Sequence, residues 1–285
     1  MPKKSILAAA VPALALSVAF AAADTTSAAA SSASAAATSC STSKLALHTP
    51  GQLTVATDAP AYPPYFENNK PANGKGFESA VAYAVAKQLG FGTSKVKWVT
   101  EPFNNSYAPG PKNFDFDINE ISITKARSQA VTFSTPYYTN PQAIIVYKSS
   151  PLAKAKSLAA FKSAKIGVQV GTTSLTAVNG KIKPSAQPSV YNTSSDVTQA
   201  FKVHQVDAIV TDYATALYLT TTIGKSTVAG QFSAPGGDNW GLLMKKGSAL
   251  APCVDRALSK LRSGGTLTKL TKQWMSSKVA VPVLK

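Results

Sequence analysis

The sequence contains little histidine, cysteine or acidic residue. Among 285 residues there are two histidines, two cysteines and 13 aspartates and glutamates, against 29 lysines and arginines. Neither His48 nor His204 has a serine or cysteine nucleophile arranged around it, and the chain carries no Walker loop, metal-spaced cluster or glycine-rich dinucleotide fingerprint. We therefore expect no cofactor and no metal, and nothing in the sequence indicates a hydrolase or a nucleotide-dependent enzyme.

The formal net charge is +16, which by itself suggests an acidic partner such as nucleic acid. However, the lysines are scattered, and there is no basic helix, zinc pattern or RNA-binding aromatic motif. We predict no nucleic-acid partner. The charge is typical of a solvated basic surface that associates with an anionic cell envelope.

Long apolar runs are also scarce, and the one at the N-terminus has the pattern of an export signal. Lys3 and Lys4 precede an apolar stretch over residues 6–20, which is too short for a comfortable membrane span, and residues 21–23 form an A-x-A cleavage site. We predict a signal peptide over residues 1–23. The mature protein is then secreted, in the periplasm or at the cell surface.

Residues 24–43 are mostly alanine, serine and threonine, so we predict a flexible tail. The tail contains Cys40, and the other cysteine is Cys253. In an oxidising compartment an even pair favours a disulfide. The alternative is that Cys40 is acylated as a lipoprotein anchor, although residues 37–40 make a poor lipobox.

The periodicity downstream of residue 51 is that of an α/β protein. Apolar segments and helical repeats alternate in the order βαβαβ, which predicts parallel sheets with ligands at the carboxyl ends of the strands. The predicted strands cover residues 53–57, 96–99, 116–121, 143–147, 165–170, 206–212 and 240–244, and the predicted helices 78–89, 157–164, 197–204, 213–219, 250–261 and 267–274.

The most informative segment spans residues 121–138. Ser122 and Thr124 directly precede a lone arginine, Arg127, and Thr124 is a good residue to begin a helix. In the first turn of that helix, the guanidinium group and free backbone N–H groups point the same way. This combination predicts a receptor for a small carboxylate.

The same segment resembles the carboxylate-binding motif of the extracellular solute-binding proteins, family 3, which serve polar amino-acid ABC importers. The resemblance extends over residues 51–275. Residues 57–66 and 76–78 are similar to the family's "TDATYPPF…GFD", residues 133–138 to "FS.PYY", and residues 264–274 to the closing "GTL…W" helix. One extra residue before Tyr62, and Glu78 in place of the usual aspartate, are departures from the pattern.

The resemblance implies a two-lobed, periplasmic-binding-protein-like type II fold, with two Rossmann-like α/β lobes joined by two crossover strands. Residues 44–141 together with 238–285 would form the first lobe, and residues 142–237 the second. The implied function is the capture of a polar amino acid by a monomer, which closes on its ligand and delivers it to a membrane permease.

The resemblance also assigns residues to the ligand backbone. Asp212, at the end of an apolar strand, would hold the ligand ammonium group, although an aspartate there is often a plain helix cap. Thr172 and Thr173 follow Gly171 at a strand-to-helix turn, and their amides would bind the ligand backbone from the second lobe. Bonds from both lobes to one zwitterion would explain closure.

The side-chain end of the ligand is less defined by the sequence. Tyr62 or Tyr65 is expected to stack on it, with Phe103 as a further wall, although either tyrosine also suits the core. Three acidic residues are expected near the cleft mouth: Asp58, Glu78 and Glu120. They would favour a basic amino acid, while the alternatives are glutamine, glutamate or another polar amino acid.

Two other functions remain open at this stage. Cyclohexadienyl dehydratases resemble these binding proteins and also bind a carboxylate through an arginine, so Glu120 or Glu78 would then be a proton donor. A sensory module would keep the binding site without transport. The pairing of Arg127 with Asp212 favours an amino-acid binder over the lyase.

Overall fold

The computed structural model describes residues 39–276 and 280–285. The predicted signal peptide, and the predicted tail as far as residue 38, lie outside these residues. The described chain contains two five-stranded sheets and one two-stranded sheet. No helix within the described ranges is both long and apolar enough to span a membrane.

The first sheet has the strand order β2-β1-β3-β12-β4. β1 pairs in parallel with β2 and β3, whereas β12 is antiparallel to β3 and β4. All five residues of β1 are buried, which explains its continuous apolar sequence. The strands are β1 (Leu53–Thr57), β2 (Val96–Thr100), β3 (Phe116–Asp117), β4 (Val131–Phe133) and β12 (Leu243–Lys245).

Five helices surround this sheet. α1 packs against both α7 and α8, because Val81 and Val85 share a buried cluster with Leu258 of α7 and Leu267 of α8. We refer to the first sheet and these helices as the first lobe. The helices are α1 (Phe77–Gln88), α2 (Phe103–Ser106), α3 (Lys125–Ala130), α7 (Ala251–Ser263) and α8 (Thr266–Trp274).

The second sheet has the order β10-β6-β9-β7-β8, and with its three helices it forms the second lobe. β7 is parallel to both β8 and β9, while β6 is antiparallel to β9 and β10. The strands are β6 (Gln142–Tyr147), β7 (Ile166–Gln169), β8 (Ser189–Tyr191), β9 (Ala208–Asp212) and β10 (Ser226–Phe232), and the helices are α4 (Thr173–Ala177), α5 (Ser194–Lys202) and α6 (Tyr213–Thr222).

Two short antiparallel strands carry the chain between the lobes. They are β5 (Tyr138–Thr139) and β11 (Asn239–Trp240). Next to them, the backbone N–H of Asn140 donates to the carbonyl of Asp238 at 2.8 Å. The crossover is therefore a paired ribbon, and both of its strands enter the second lobe at the same place.

The first described residues are attached to the first lobe. Cys40 and Cys253 form a disulfide, with Cα atoms 5.5 Å apart and 213 residues between them in sequence, so the predicted pairing is confirmed. The hydroxyl of Thr42 donates to the carbonyl of Leu89 at 3.0 Å. Residues 39–43, which the sequence assigned to the end of the tail, therefore contact α1 and α7.

The last described residues lie on the second lobe. Val283 forms a parallel bridge with Gln231 of β10, and Leu284 packs in a buried cluster with Phe161 and Phe232. The chain thus returns to the second lobe after α8. The sequence assigned residues 238–285 to the first lobe, whereas Val283 and Leu284 pack on the second lobe. The other predicted lobe boundaries stay a prediction.

Three elements differ from the sequence-based expectation. The strand expected over residues 116–121 ends at Asp117, because Glu120 has a left-handed backbone with φ of 49°. The helix expected over 157–164 is a short 3-10 helix, Leu158–Phe161. The strand expected over 240–244 is divided between two sheets at Gly241, where a Cβ atom would lie 3.1 Å from the Ser134 carbonyl oxygen.

Candidate ligand-binding cleft

The two lobes enclose a cavity of about 500 Å³, which is a usual size for a small-molecule site. It lies at the carboxyl ends of β1, β7 and β9, where parallel strands typically present a ligand site. Side chains from both lobes form its walls. The cavity therefore lies at the strand ends where the sequence predicts a ligand site.

Arg127 is the cation of this cavity. Its side chain is only 8% exposed, and Nη1 donates to the carbonyl of Ser122 at 2.8 Å. Nη2 donates to the carbonyl of Gly171 in the second lobe at 2.9 Å. The guanidinium carbon lies 4.5 Å from the ring centre of Tyr107 and 5.3 Å from that of Phe103. These contacts fix the guanidinium at the cavity wall.

Burial lowers the pKa of Arg127, while Tyr107 and the carboxyl groups of Asp238 and Asp212 act in the opposite direction. An arginine remains charged under such conditions because its unperturbed pKa is so high. Both of its carbonyl partners are without formal charge. The site therefore offers a positive charge that a ligand carboxylate would complement.

Thr124 and Ser122 have different positions around this arginine. Thr124 caps α3, since its hydroxyl accepts a hydrogen bond from the backbone N–H of Arg127 at 3.1 Å. It does not line the cavity and acts on the site only by holding Arg127. Ser122 does line the cavity, and its hydroxyl lies 3.2 Å from that of Thr173 across the cleft.

Asp212 is the anion on the second-lobe wall. It lies at the N-cap of α6, but its side chain makes no capping hydrogen bond. Instead, Oδ1 accepts hydrogen bonds from Asn140 at 2.7 Å and from Gln142 at 2.9 Å. Burial, and then the charge of Asp238, raise the pKa of Asp212 well above its usual value. The carboxylate is thus aimed by two amides rather than by its own helix.

Those two amides belong to a network that the sequence did not reveal. Asn140 and Gln142 also donate to Oδ2 of Asp238, at 3.3 and 2.6 Å, and the hydroxyl of Thr173 lies 3.2 Å from the same oxygen. Asp238 is 1% exposed, and its Oδ1 has no hydrogen-bond partner among the described residues. Through Asn140, Gln142 and Asp238, the crossover segments therefore link Asp212 on the cavity wall to Thr173 at the beginning of α4.

Thr172 and Thr173 lie at that turn, as expected. Thr172 caps α4 by accepting from the backbone N–H of Leu175 at 3.2 Å, and it also donates to the carbonyl of Gln169. Gly171 has φ of 73°, and a Cβ atom there would clash with Tyr107 from the first lobe. Only a glycine lets the two walls approach this closely.

The tyrosines bridge the cleft. The hydroxyl of Tyr62 lies 2.6 Å from that of Ser195, and the hydroxyl of Tyr65 lies 2.9 Å from that of Thr215. Tyr65 is 1% exposed and packs edge-on against Trp240, so its ring belongs to the core as well as to the wall. The alternative that Tyr65 belongs to the core is therefore confirmed, while stacking of Tyr65 on a ligand stays a prediction.

Two of the expected acids, Asp58 and Glu120, line the cavity. Asp58 follows β1, and its Oδ1 accepts from the backbone N–H of Ala59 at 2.7 Å. Burial raises the pKa of Asp58. Burial and the charge of Glu78 raise the pKa of Glu120 well above its usual value. Glu120 and Ser122 were expected to share one face of an extended strand. Both face the cavity, but the backbone at Glu120 is left-handed.

Glu78 lies behind the wall rather than at the cleft mouth. It is fully buried and does not line the cavity, because it occupies the first turn of α1 beneath Glu120. Its Oε1 accepts hydrogen bonds from the backbone N–H of Glu120 at 2.8 Å and from the hydroxyl of Tyr137. Burial raises the pKa of Glu78, and these hydrogen bonds oppose the rise.

Most of the predicted ligand residues share the cavity wall, while Thr124 and Glu78 stand behind it. The wall contains Asp58, Tyr62, Tyr65, Phe103, Glu120, Ser122, Arg127, Thr172, Thr173 and Asp212. It also contains residues that the sequence gave no reason to select, including Asn119, Gln169, Ser174 and the segment from Asn192 to Ser195. Within residues 39–276 and 280–285, no group of three or more metal-ligating side chains could hold a metal ion.

Comparison with known proteins agrees with this geometry. The model of the bacterial extracellular solute-binding proteins, family 3, matches residues 53–277. Among curated proteins, the ABC transporter glutamine-binding protein of Bacillus subtilis (strain 168) is 28% identical over 216 residues, covering 74% of this chain and 77% of that protein.

Solved structures that this chain resembles are also amino-acid-binding proteins. An ancestral arginine-binding protein bound to glutamine has a TM-score of 0.68 and 30% identity, covering 81% of this chain and all of that one. The ancestral amino acid-binding protein AncCDT-1, a precursor of cyclohexadienyl dehydratase, matches with a TM-score of 0.65 and 30% identity. The match covers 79% of this chain and 96% of the AncCDT-1 chain.

Proposed function

Because the chain belongs to the bacterial extracellular solute-binding proteins of family 3, we propose that it captures a polar amino acid and delivers it to an ABC permease. The names of its relatives support this ligand class, since they are a glutamine-binding protein and an arginine-binding protein that was solved with glutamine. On this proposal the chain is a receptor and performs no chemistry on its ligand.

One observation carries the proposal. Arg127 and Asp212 line the same cavity, the first from the first lobe and the second from the second lobe. A free amino acid is a zwitterion, so its carboxylate suits the guanidinium and its ammonium group suits the aspartate. Side-chain amides aim the aspartate, and two backbone carbonyls hold the arginine. Such preorganisation lowers the cost of binding.

Closure of the lobes follows from the same pair. The two opposite charges of the site belong to different lobes, so a single zwitterion satisfies both only when the lobes are together. A ligand that contacts both walls stabilises the closed state by the difference in its affinity for the two states. The lobe boundaries taken from the sequence, with residues 142–237 as the second lobe, are part of this proposal.

A thermal-shift screen against the twenty amino acids, ornithine and citrulline tests the proposal. A ligand present at 100 times its dissociation constant stabilises the folded protein by about 2.7 kcal/mol, which moves a melting curve clearly. We expect a shift with one or a few polar amino acids. If none shifts the curve after co-purified ligand has been removed by unfolding and refolding, amino-acid binding is excluded.

The cellular setting is also part of the proposal. The N-terminal segment would direct export, and the mature monomer would work outside the cytoplasmic membrane beside its permease. In this structure the Cys40 sulfur is bonded to Cys253, which leaves no thiol for a lipid. Mass spectrometry of the mature protein tests this directly, because a disulfide and a thioether-linked lipid differ greatly in mass. Gel filtration with light scattering tests the monomer.

A second candidate function is a lyase resembling cyclohexadienyl dehydratase. It is favoured by one specific observation: Glu120, an acid with a raised pKa, lines the same cavity as the carboxylate-binding Arg127. The similarity to AncCDT-1 points in the same direction. Incubation with prephenate or arogenate, followed by assay for phenylpyruvate or phenylalanine, decides it. Product formation that Glu120→Gln abolishes would establish the enzyme.

A further inference from the structure

Two carboxyl groups meet at the floor of the cavity, beyond the pair that suits a zwitterion. Glu120 belongs to the cavity wall, and Glu78 lies directly behind it with no exposed surface. The two groups come from different elements, the loop after β3 and the first turn of α1. A structural role for such a pair would be costly, since two adjacent carboxylates repel each other when both are ionised.

The contacts of Glu78 show how the pair is organised. Its Oε1 accepts from the backbone N–H of Glu120 and from the hydroxyl of Tyr137, two donors that suit an ionised carboxylate. Its Oε2 is buried and has no hydrogen-bond partner among the described residues. Two donors therefore hold Glu78 in place through one oxygen, while its other oxygen has no partner among the described residues.

The backbone of Glu120 supports a functional interpretation. Its φ of 49° is unusual for a residue other than glycine, asparagine or aspartate, and such a conformation costs on the order of 1 kcal/mol. The hydrogen bond from its N–H to Glu78 holds this conformation in place. Strain of this kind persists where the surroundings enforce it, and it is concentrated at functional sites.

The charges on the wall define what the pair would recognise. Arg127 matches a ligand carboxylate and Asp212 matches a ligand ammonium, which leaves Asp58 and Glu120 without a counterpart in a neutral amino acid. A ligand with a second positive charge supplies that counterpart. The ionisable groups that face Glu120 are Glu78 from α1, Asp58 from the loop after β1, Asp212 from the start of α6, and the phenols of Tyr65 and Tyr137.

We infer that Glu78 and Glu120 hold one proton between them in the empty cavity, and that the basic side chain of an amino-acid ligand displaces this proton. The inference rests on the proposed function and narrows its ligand to arginine, lysine, ornithine or histidine. The O–H bond of the Glu120 carboxyl group breaks, its electron pair remains on the carboxylate, and the proton passes to the solvent. The ligand's cation then occupies the vacated position.

The electrostatics agree with this assignment. Burial raises the pKa of both groups, and the charges of Glu78, Asp212 and Asp58 raise the pKa of Glu120 further, whereas hydrogen bonds from Glu120 and Tyr137 oppose the rise at Glu78. Because Glu78 accepts two hydrogen bonds and Glu120 faces the cavity, the inference places the proton on Glu120. Uptake of a cation is coupled to release of a proton, and basic amino acids bind less tightly as the pH falls.

Isothermal titration calorimetry in two buffers of different ionisation enthalpy measures this proton. The full chain is titrated with arginine and with glutamine at several pH values from about 5 to 8, where raised carboxyl groups titrate. Asp212 binds the ammonium group that both ligands share, so its proton contributes equally to the two titrations. We expect arginine to release up to roughly one proton more than glutamine for each ligand bound. If arginine binds and releases no more protons than glutamine at any of these values, the inference is wrong.

Glu120→Gln is the decisive variant, because it keeps the shape of the side chain and removes the acid. We expect it to abolish the excess proton release with arginine over glutamine, and to reduce the preference for arginine over glutamine at least about tenfold. Glu67→Gln is the matched control, since Glu67 lies outside the cavity wall and should change neither quantity. If Glu120→Gln is unfolded at the temperature of the titration, the number of protons that the unmodified protein releases on binding each ligand still tests the inference.

The outcomes separate this inference from the proposed function. If glutamine binds and basic amino acids do not, the binding protein stands and the Glu78–Glu120 inference falls. If Glu120→Gln still releases more protons with arginine than with glutamine, another group is the source and the inference falls as well. If no amino acid binds, the proposed function fails and takes the inference with it.

Discussion

The two walls of the cleft differ in the kind of group they present. Besides hydroxyl and amide groups such as Ser122 and Asn119, the first-lobe wall carries most of the charges and all of the aromatic rings of the cavity: Asp58, Tyr62, Tyr65, Phe66, Phe103, Glu120 and Arg127. The second-lobe wall carries hydroxyl and amide groups near the beginnings of α4, α5 and α6: Gln169, Thr172, Thr173, Ser174, Asn192, Thr193, Ser194, Ser195, Thr211 and Thr215, with Asp212 as its one charge among the described residues.

Because of this difference, the two walls are expected to contribute differently to the free energy of ligand binding. Neutral hydroxyls pair across the cleft without a ligand, as Tyr65 does with Thr215 and Ser122 with Thr173, and each such bond contributes only about 0.5–1.5 kcal/mol. Charged groups such as Arg127 and Glu120 lose far more when they are buried without a partner. On the proposed function, we therefore expect the first lobe to select the ligand, and the second lobe, apart from Asp212, to close over the ligand that the first lobe has selected.

Replacement of Arg127 by alanine is expected to have the largest effect. A ligand carboxylate would lose its cation in a buried site, which costs on the order of 3–5 kcal/mol of binding free energy. Calorimetry with the best ligand of the thermal screen measures it. Lys125→Ala, an exposed change in the same helix, should leave affinity unaltered. Micromolar or tighter binding by Arg127→Ala would remove this arginine from the site.

Asp212→Asn tests the charged residue of the second-lobe wall. Loss of the anion should weaken binding by about 2–5 kcal/mol, because the ligand ammonium is left without its charge partner. The ligand-free protein should be no less stable, since burial and Asp238 already disfavour the charge of Asp212. Asp207→Asn, an exposed change in the same lobe, is the control for both measurements. Parallel losses of affinity and of ligand-free stability would instead assign Asp212 a structural role.

The acids of the first lobe predict a dependence of stability on pH. Asp117 is fully buried, and both of its carboxyl oxygens lack a hydrogen-bond partner among the described residues. Burial, followed by the charges of Glu78 and Glu101, raises its pKa well above the usual value. A raised pKa stabilises the fold below the unfolded pKa of about 3.9, and this stability is lost as the pH rises through the folded pKa.

Asp117→Asn should therefore stabilise the ligand-free protein near neutral pH by about 1.4 kcal/mol for each unit by which the pKa is raised. The advantage over the unmodified protein should shrink as the pH is lowered towards 4, and melting curves over this range measure it. The difference between the two proteins matters more than either curve, because the net charge of +16 adds repulsion to both in acid. A constant difference would mean that Asp117 does not titrate in this range.

The sequence predicted what depends on local pattern. The family resemblance, the two-lobed α/β fold and the disulfide between Cys40 and Cys253 are confirmed. Thr124 caps its helix as its sequence position predicts, since an N-cap requires only four consecutive residues. Arg127 and Asp212 stand at strand-to-helix junctions, where apolar runs end, and these junctions are visible without a structure.

What the sequence left out depends on contacts between distant segments. Asp238 contacts Gln142 across 96 residues, and no periodicity points to that pair. Glu78 looked like a residue of the cleft mouth, but the left-handed turn at Glu120 covers it, and a single glutamate gives no sign of such a turn. The strand over 240–244 is divided because Trp240 pairs with Tyr138 whereas Leu243 pairs with Asp117 and Phe133.

The smallest expected effect separates the tyrosines that bridge the walls. Tyr65→Phe leaves the part-buried hydroxyl of Thr215 without its partner and should weaken ligand binding by about 0.5–1.5 kcal/mol. Tyr62→Phe breaks the more exposed bond to Ser195 and should cost less, because water replaces the lost partner. Tyr191→Phe on β8, away from the cavity, is the control. Calorimetry with the same ligand ranks the three. If either bridge costs as much as Arg127→Ala, hydroxyl pairing across the cleft also selects the ligand, and the division between a selecting wall and a closing wall is wrong.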